Sequence, residues 1–151
     1  MNNRIGLCSE KEISPIWAWY QWIDAKKNKP DLRFRCHQFP GTESVRLTIK
    51  KPMSEILLSD AVFWLHAYSY QAYVPSSDEE GNVFDLELQE LGLENEFFEN
   101  LPSNFQERIV QSYDRIFDLN NYSDISEKSL QATFWSLKLS EVIKVEYLIA
   151  R

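Results

Sequence analysis

The sequence predicts an α+β fold in a single domain, with a mixed or antiparallel sheet flanked by helices. Extended segments rich in aromatic and β-branched residues lie towards both ends of the chain, at 16–22, 44–51, 130–139 and 144–150. Helical patterns lie between them, at 61–72 and after Ser103. Strands at both ends with helices between them are typical of the α+β class. A chain of 151 residues is expected to form one domain, 1–151.

Residues 16–22 are the first predicted strand, and they read IWAWYQW. Bulky apolar residues on both faces of a strand indicate that both faces are covered. Strand alternation places Trp19 on one face and Tyr20 with Trp22 on the other. Three of the five tryptophans of the chain therefore lie in one short strand.

The second strand, 44–51, alternates between apolar and polar residues. Val45 and Leu47 are expected on a half-buried face, and the basic residues between them on a polar outer face. Towards the end of the chain, 130–139 and 144–150 are predicted as two strands joined by a single capped helical turn.

The sequence predicts two helices and the residues that cap their first turns. Ser59 or Asp60 is expected to cap a helix at 61–72, which is apolar on most sides and is therefore predicted to be buried. Ser103 and Gln106 have the spacing of a capping box. The helix that follows them carries an apolar stripe formed by Phe105, Ile109, Tyr113 and Ile116.

The net charge of −7 conceals two regions of opposite sign. Residues 1–53 carry ten Lys or Arg and five Asp or Glu, whereas residues 54–151 carry six and eighteen. Non-specific binding to double-stranded nucleic acid depends on an extended positive field, so the acidic excess argues against it. The basic first third is still sufficient to hold one nucleotide or a short single strand.

Residue types and spacings exclude several other kinds of site. Cys8 and Cys36 form no CxxC pair, and His37 and His66 lack the spacing of metal ligands, so neither a disulfide framework nor a metal site is expected. The polar start MNNRIGLCSEKE has no apolar signal-peptide core, and no apolar run approaches the roughly 20 residues that span a membrane. The expected location is the cytoplasm, without a membrane partner.

Residues 14–33 combine aromatic rings with fixed cations, a pairing that suits a small, flat, anionic ligand. Rings stack on a base, while Lys and Arg contact a phosphate. Asp31 is expected to orient Arg33, and the helix start at Ser59 and Asp60 is expected to add backbone N–H groups. Alternatively, the tryptophans are core residues and the lysines are solvated surface charges. The predicted binding residues are Trp19, Tyr20, Trp22, Lys26, Lys27, Asp31, Arg33 and Ser59.

Five blocks of the sequence resemble a bacterial family of uncharacterised domains. They read PIWAWYQW, KPDLR, ILLSD, SYDRIFDL and LQATFWSLKLSEVIKVE, and they run from Pro15 to Glu146. Relatives usually carry a further N-terminal strand and helix, whereas fourteen residues precede Pro15 here. The resemblance implies a family without an established activity. The leading interpretation, from the residues themselves, is a binding domain for a nucleotide-like or other anionic ligand.

The closing pattern of strand, capped turn and strand is similar to the end of ADP-ribosyltransferase toxins that modify DNA. That resemblance implies NAD as a candidate cofactor and a catalytic glutamate near the start of the first of these strands. Gln131 stands at the matching position, and a glutamine can hydrogen-bond a ribose hydroxyl but cannot act as a base. The enzymatic alternative is a divergent or inactive ADP-ribosyltransferase-like protein, with Asp60 and Gln131 as catalytic candidates beside Arg33.

A third interpretation concerns the acidic stretch 78–99, which offers a surface for a basic protein partner in conflict between bacteria and phage. The alternative is that these carboxylates form a solvated helix face. The spacing of Phe84 and Leu88 fits a helix here, although alternation also fits a strand, and Gly92 is expected to interrupt the element.

Overall fold

The computed structural model describes residues 5–6, 14–23, 30–33 and 37–151. Within these ranges the chain forms five β-strands and three α-helices, which confirms the α+β class. The strands are β1 Ile16–Gln21, β2 Glu43–Ile49, β3 Leu57–Asp60, β4 Leu130–Phe134 and β5 Val142–Ile149. The helices are α1 Ala61–Tyr70, α2 Asp78–Glu90 and α3 Ser103–Ser112.

The chain divides into two compact units. We call residues 1–57 with 132–151 the terminal unit, and residues 58–131 the central unit. The terminal unit carries thirteen Lys or Arg against eight Asp or Glu, and the central unit carries three against fifteen. Their net charges are therefore +5 and −12. The single domain expected from the chain length stays a prediction.

The strands form two sheets, one with the order β1-β4-β3 and one that pairs β2 with β5. β4 is the middle strand of the first sheet, and four of its five residues are buried. It ends at Phe134, well before the predicted end at 139, and the exposed Leu139 begins a 3₁₀ turn instead. The capped turn predicted between the last two strands is present as Leu139–Glu141.

The predicted orientation of β2 is wrong. In the antiparallel β2–β5 pair, Val45 and Leu47 lie on the exposed face, where Val45 faces Tyr147. The opposite face carries Arg46 directly across from Glu146, and an ion pair of 2.9 Å joins these half-buried side chains. Alternation identifies residues that share a face, but it does not determine which face the fold covers. The matched ion pair allows the polar face to be the covered one.

The cap predicted at the start of α1 is confirmed. The carboxylate of Asp60 accepts hydrogen bonds from the N–H groups of Val62 and Phe63, at 2.9 and 3.2 Å. The predicted burial of this helix is wrong, because Phe63 alone among its residues is buried. A helix that is apolar on most sides has no single packing face, and Phe63 is the residue that packs with Val74 and Ile116.

The acidic segment forms α2, which begins at Asp78 with Ser77 as its cap. The hydroxyl of Ser77 accepts a hydrogen bond from the N–H of Glu80 at 3.2 Å. The helix ends at Glu90, and Gly92 follows with a positive φ of 69°, which confirms the predicted interruption. Within the described residues, every helix falls short of the length and apolar content that a bilayer crossing requires.

The capping box predicted at the start of α3 is wrong. Pro102 precedes the helix, and Ser103 is already helical and makes no side-chain cap. The side chain of Gln106 instead donates to the carbonyls of Phe98 and Leu101, at 3.0 and 2.9 Å. The long amide side chain therefore fixes the loop before the helix rather than the first turn of the helix itself.

The apolar stripe predicted on α3 is confirmed for Phe105 and Ile109. The helix ends at Ser112, so Tyr113 and Ile116 lie in the 3₁₀ helix that follows it. Phe105 and Ile109 are buried together with Phe84 and Leu101. Tyr73 stacks on Phe84 with ring centroids 4.2 Å apart and planes within 4° of parallel. Aromatic packing therefore carries much of this core.

We expect Phe105→Ala to lower the free energy of unfolding by about 3–5 kcal/mol, because it removes a buried ring and leaves a cavity. Val110→Ala, at an exposed position of the same helix, is the matched control and should change that free energy by less than about 0.5 kcal/mol. Urea denaturation followed by circular dichroism measures both. Equal effects of the two substitutions would contradict the assignment of this core.

Candidate functional site

The tryptophans of the first strand form a ring cluster with a histidine. Trp19 and Trp22 meet edge to face with centroids 4.6 Å apart, and the centroid of Trp22 lies 6.1 Å from that of His37. The prediction that Trp22 lies on the opposite face from Trp19 is wrong, because β1 ends at Gln21 and Trp22 leaves the strand alternation. We call Trp19, Trp22 and His37 the ring cluster.

The predicted coverage of both faces of β1 is also wrong. Trp17 and Tyr20 are 42% and 52% exposed, whereas Trp19 and Trp22 are half-buried. Bulky residues on both faces of a strand do not require two covering layers, because single exposed rings are common on folded surfaces. Tyr20 is therefore accessible to a ligand, and Trp19 and Trp22 are partly so.

Asp31 and Arg33 make the contact that the sequence predicts. Arg33 donates from Nε to Oδ1 of Asp31 at 2.8 Å and from Nη2 to Oδ2 at 2.7 Å, which is a bidentate pair. Arg151 also donates to Oδ2 of Asp31, at 3.3 Å, and its backbone N–H donates to the carbonyl of Arg33 at 2.9 Å. We call Asp31, Arg33 and Arg151 the arginine cluster, in which two guanidinium groups share one carboxylate.

The contacts with arginine favour the ionised form of the Asp31 carboxyl group. Hydrogen bonds from Arg33, and then the nearby charge of Arg151, hold the pKa of the Asp31 carboxyl far below its usual range. The same pairing raises the pKa of the Arg33 guanidinium. Asp31 is therefore ionised across the physiological pH range, and both guanidinium groups contact a full negative charge.

The two clusters lie close to each other along the chain. Both belong to the terminal unit, and His37 follows Arg33 by four residues. A segment of that length spans at most about 14 Å even when it is fully extended. The Cα atom of His37 in the ring cluster therefore lies no farther than this from that of Arg33 in the arginine cluster. Lys26 and Lys27, which were predicted to contact phosphate, lie outside the described residues.

The start of α1 does not offer free donors to an anion. The N–H of Ala61 donates to the carbonyl of Ser129 at 2.9 Å, and the next two N–H groups donate to Asp60. Ser59 is 1% exposed, and its hydroxyl makes no hydrogen bond with the described residues. The expected contribution of Ser59 and Asp60 to anion binding is not supported, because the donors are already engaged and the serine is closed to solvent.

Asp60 instead faces a buried lysine. The Nζ atom of Lys128 lies 3.5 Å from Oδ2 of Asp60, and both side chains are buried. Lys128 also donates to the carbonyl of Asn121. These contacts account for Asp60 as a structural group of the central unit. Its proposed catalytic role stays a prediction, as does that of the half-buried Gln131 in β4.

Sequence reasoning missed three residues that take part in the contacts described above. Arg151 meets Asp31 across 120 positions, and His37 meets Trp22 from a separate part of the sequence. Lys128 meets Asp60 across most of the central unit. No local spacing connects these residues, since only the folded chain brings them together. The excess of Lys and Arg over Asp and Glu near Arg33 indicated a basic site in this region. It did not identify Arg151, at the other end of the sequence, as part of that site.

We expect an NMR titration of the Asp31 carboxyl to give a pKa below that of an ordinary aspartate, because Arg33 holds the charged form. Arg33→Ala should raise this pKa towards the ordinary value of about 4. A pKa that is lowered in the folded state means that the pairing stabilises the fold above about pH 4 and is lost as the pH falls through the folded pKa. Arg46→Ala, which removes another paired arginine, should leave the Asp31 pKa unchanged. An ordinary pKa in the unaltered protein would contradict the bidentate contact.

We expect Lys128→Met to destabilise the protein by about 3–5 kcal/mol, because it leaves the buried Asp60 carboxylate without its cation. The double variant D60N/K128M should recover a large part of this loss, since asparagine also caps a helix and no buried charge remains. Urea denaturation of both variants gives the comparison. If the double variant were as unstable as K128M, the ion pair would not be the source of the loss.

Comparison with known proteins identifies a family for this chain but no activity. The family model for a domain of unknown function, DUF3841, matches residues 1–143. The chain matches no curated protein and no solved structure. Because the family model covers nearly the whole sequence, the chain belongs to the DUF3841 family.

Proposed function

We propose that this protein binds a nucleotide-like or other anionic ligand through the arginine cluster and the ring cluster. The observation that carries the proposal is that Arg33 and Arg151 share the single carboxylate of Asp31. The shared carboxylate holds the two guanidinium groups beside each other, so a phosphate or carboxylate of a ligand would meet two cations in one place. Arginine forks suit phosphate and carboxylate groups, which accept two parallel hydrogen bonds.

The exposure of the three side chains supports binding from solvent. Arg33 and Arg151 are 41% and 61% exposed, whereas Asp31 is 22% exposed. Arg33 uses Nε and Nη2 for Asp31, and its Nη1 makes no hydrogen bond with the described residues. Asp31 therefore works as an anchor that orients the guanidinium before a ligand arrives. A group that is already oriented loses less conformational freedom on binding.

The ring cluster supports a ligand with a flat, aromatic part. Half-buried tryptophan rings provide a stacking surface for a base, and the exposed Tyr20 lies on the same strand. A nucleotide presents an aromatic base and a phosphate on one molecule, and the rings and cations of the terminal unit suit these two parts. The net charge of +5 on the terminal unit favours approach of an anion. Lys26 and Lys27 are proposed as further phosphate contacts.

Tryptophan fluorescence tests the proposal directly. We expect saturable quenching by at least one of NAD, ADP-ribose, ATP and a short single-stranded oligonucleotide. Arg33→Ala should weaken the affinity at least about tenfold, which is the loss of one charge-assisted contact worth about 1.4 kcal/mol. Raising the salt concentration should weaken it as well, because a charge-driven contact is screened.

Arg46→Ala is the matched control, since Arg46 is also a paired arginine of the terminal unit but belongs to the β2–β5 pair. The affinity of the Arg46→Ala variant for the same ligand should equal that of the unaltered protein. No response to any of the four ligands would overturn the proposal. Equal weakening by both substitutions would instead assign the effect to general charge and not to this site.

A further inference from the structure

The sheet formed by β2 and β5 exposes a continuous apolar face. Its register sets Val45 opposite Tyr147 and Leu47 opposite Val145, and alternate residues of a strand share one face. The exposed apolar side chains here, with that of the residue at the neighbouring bulge, are Val45, Leu47, Val145, Tyr147, Ile149 and Ile143. We call these six residues the apolar face. Their exposed fractions correspond to on the order of 600 Å², the upper limit of the largest apolar patch on a typical monomer.

The charged side chains of the same sheet lie mainly on its other side, where they pair with each other. Nη2 of Arg46 and Nζ of Lys144 each lie 2.9 Å from a carboxylate oxygen of Glu146. An antiparallel sheet with one solvated face usually turns its polar residues to water. Here Arg46 and Glu146 are on the half-buried side and the exposed side is apolar. That inverted pattern is expected where the exposed side is covered in an assembly.

Further strands do not protect this sheet within the described part of the chain. β2 and β5 pair with each other alone, so each of them has a free edge. A two-stranded sheet is marginally stable at best in water unless one side packs on another layer. A layer over the apolar face supplies that packing.

The charge of the apolar face argues against several kinds of cover. Nucleic acid, anionic lipid and charged protein surfaces are held by fixed charges of the opposite sign. Among the described residues on this side of the sheet, only Glu43 is charged, and it lies at one end, opposite Ile149. A carboxylate at the end of the face has the wrong sign for nucleic acid and for anionic lipid.

The area of the apolar face suits a second copy of this chain. Two such faces together bury about 1,200 Å², the lower limit of a standard stable interface. A two-fold axis brings the same patch of both copies together, so a charge at its centre would meet its own like charge. Apolar side chains are free of that conflict, and homodimer interfaces are accordingly richer in apolar surface than other interfaces are.

We propose that the protein forms a homodimer in which the apolar faces of two copies pack against each other. The two β2–β5 sheets are then the layers of a small sandwich. Val145 and Tyr147 of both copies lie between the layers, and the paired charges of Arg46 and Glu146 stay on the side away from the interface.

Sedimentation velocity over about 1–100 μM protein tests the proposal. We expect the unaltered protein to sediment with the mass of two chains at the upper end of this range. Val145→Glu should weaken the dimer at least about tenfold, because each copy then places a charge in an apolar interface. Val145→Thr nearly keeps the shape and the strand propensity. It should weaken the dimer by a smaller factor, because a hydroxyl costs less to bury than a charge does.

Val110→Glu is the matched control, because Val110 lies on α3 and is exposed to a similar degree, 55% against 49% for Val145. This control should leave the dimer unchanged. Circular dichroism checks that each variant is folded, and Val145→Thr gives the comparison if Val145→Glu does not fold.

The mass of a single chain over the whole concentration range would overturn the proposal. A dimer that both glutamate variants weaken equally, or that neither weakens, would also overturn it. Single chains that bind phosphatidylcholine vesicles, and that lose this binding in Val145→Glu, would overturn it in favour of a lipid surface. The measurement of mass uses no ligand, so its outcome is independent of the outcome for the arginine cluster.

Discussion

The buried carboxylate of Asp60 is the group on which the central unit depends most. It stands where β3 ends and α1 begins, so one side chain both caps the helix and faces Lys128. Lys128 in turn donates to the carbonyl of Asn121, and the side-chain amide of Asn121 donates to the carbonyl of Pro75 at 3.0 Å. A buried charge is costly unless every partner is in place. The loop around Asn121, the start of α1 and the segment before α2 are therefore fixed by one continuous set of polar contacts.

Paired charges have different consequences in the two units. In the terminal unit, the carboxylate of Asp31 contacts two guanidinium groups, those of Arg33 and Arg151. In the central unit, every lysine and arginine is matched by a carboxylate, and twelve further carboxylates remain. Ion pairs on the surface contribute little to stability by themselves. Their larger effect here is to fix the positions of the charged side chains within each unit.

Local patterns in the sequence predicted the features that depend on neighbouring residues. The stripe of Phe105 and Ile109, the Asp60 cap and the contact between Asp31 and Arg33 all follow from spacings of at most a few residues. The exposed face of β2 could not be predicted in this way, because it depends on whether Glu146 stands opposite Arg46.

The pairing of the strands has a consequence for the order in which the chain is made. Among the described strands, β1 pairs with β4, which follows it by more than a hundred residues, and β2 pairs with β5. Synthesis proceeds from the N-terminus, so both early strands leave the ribosome long before their partners exist. The central unit is complete at residue 131, before β5 has been made. The nascent protein must therefore keep the tryptophan-rich β1 unpaired for most of its synthesis, and this is the period in which the chain is most exposed to aggregation.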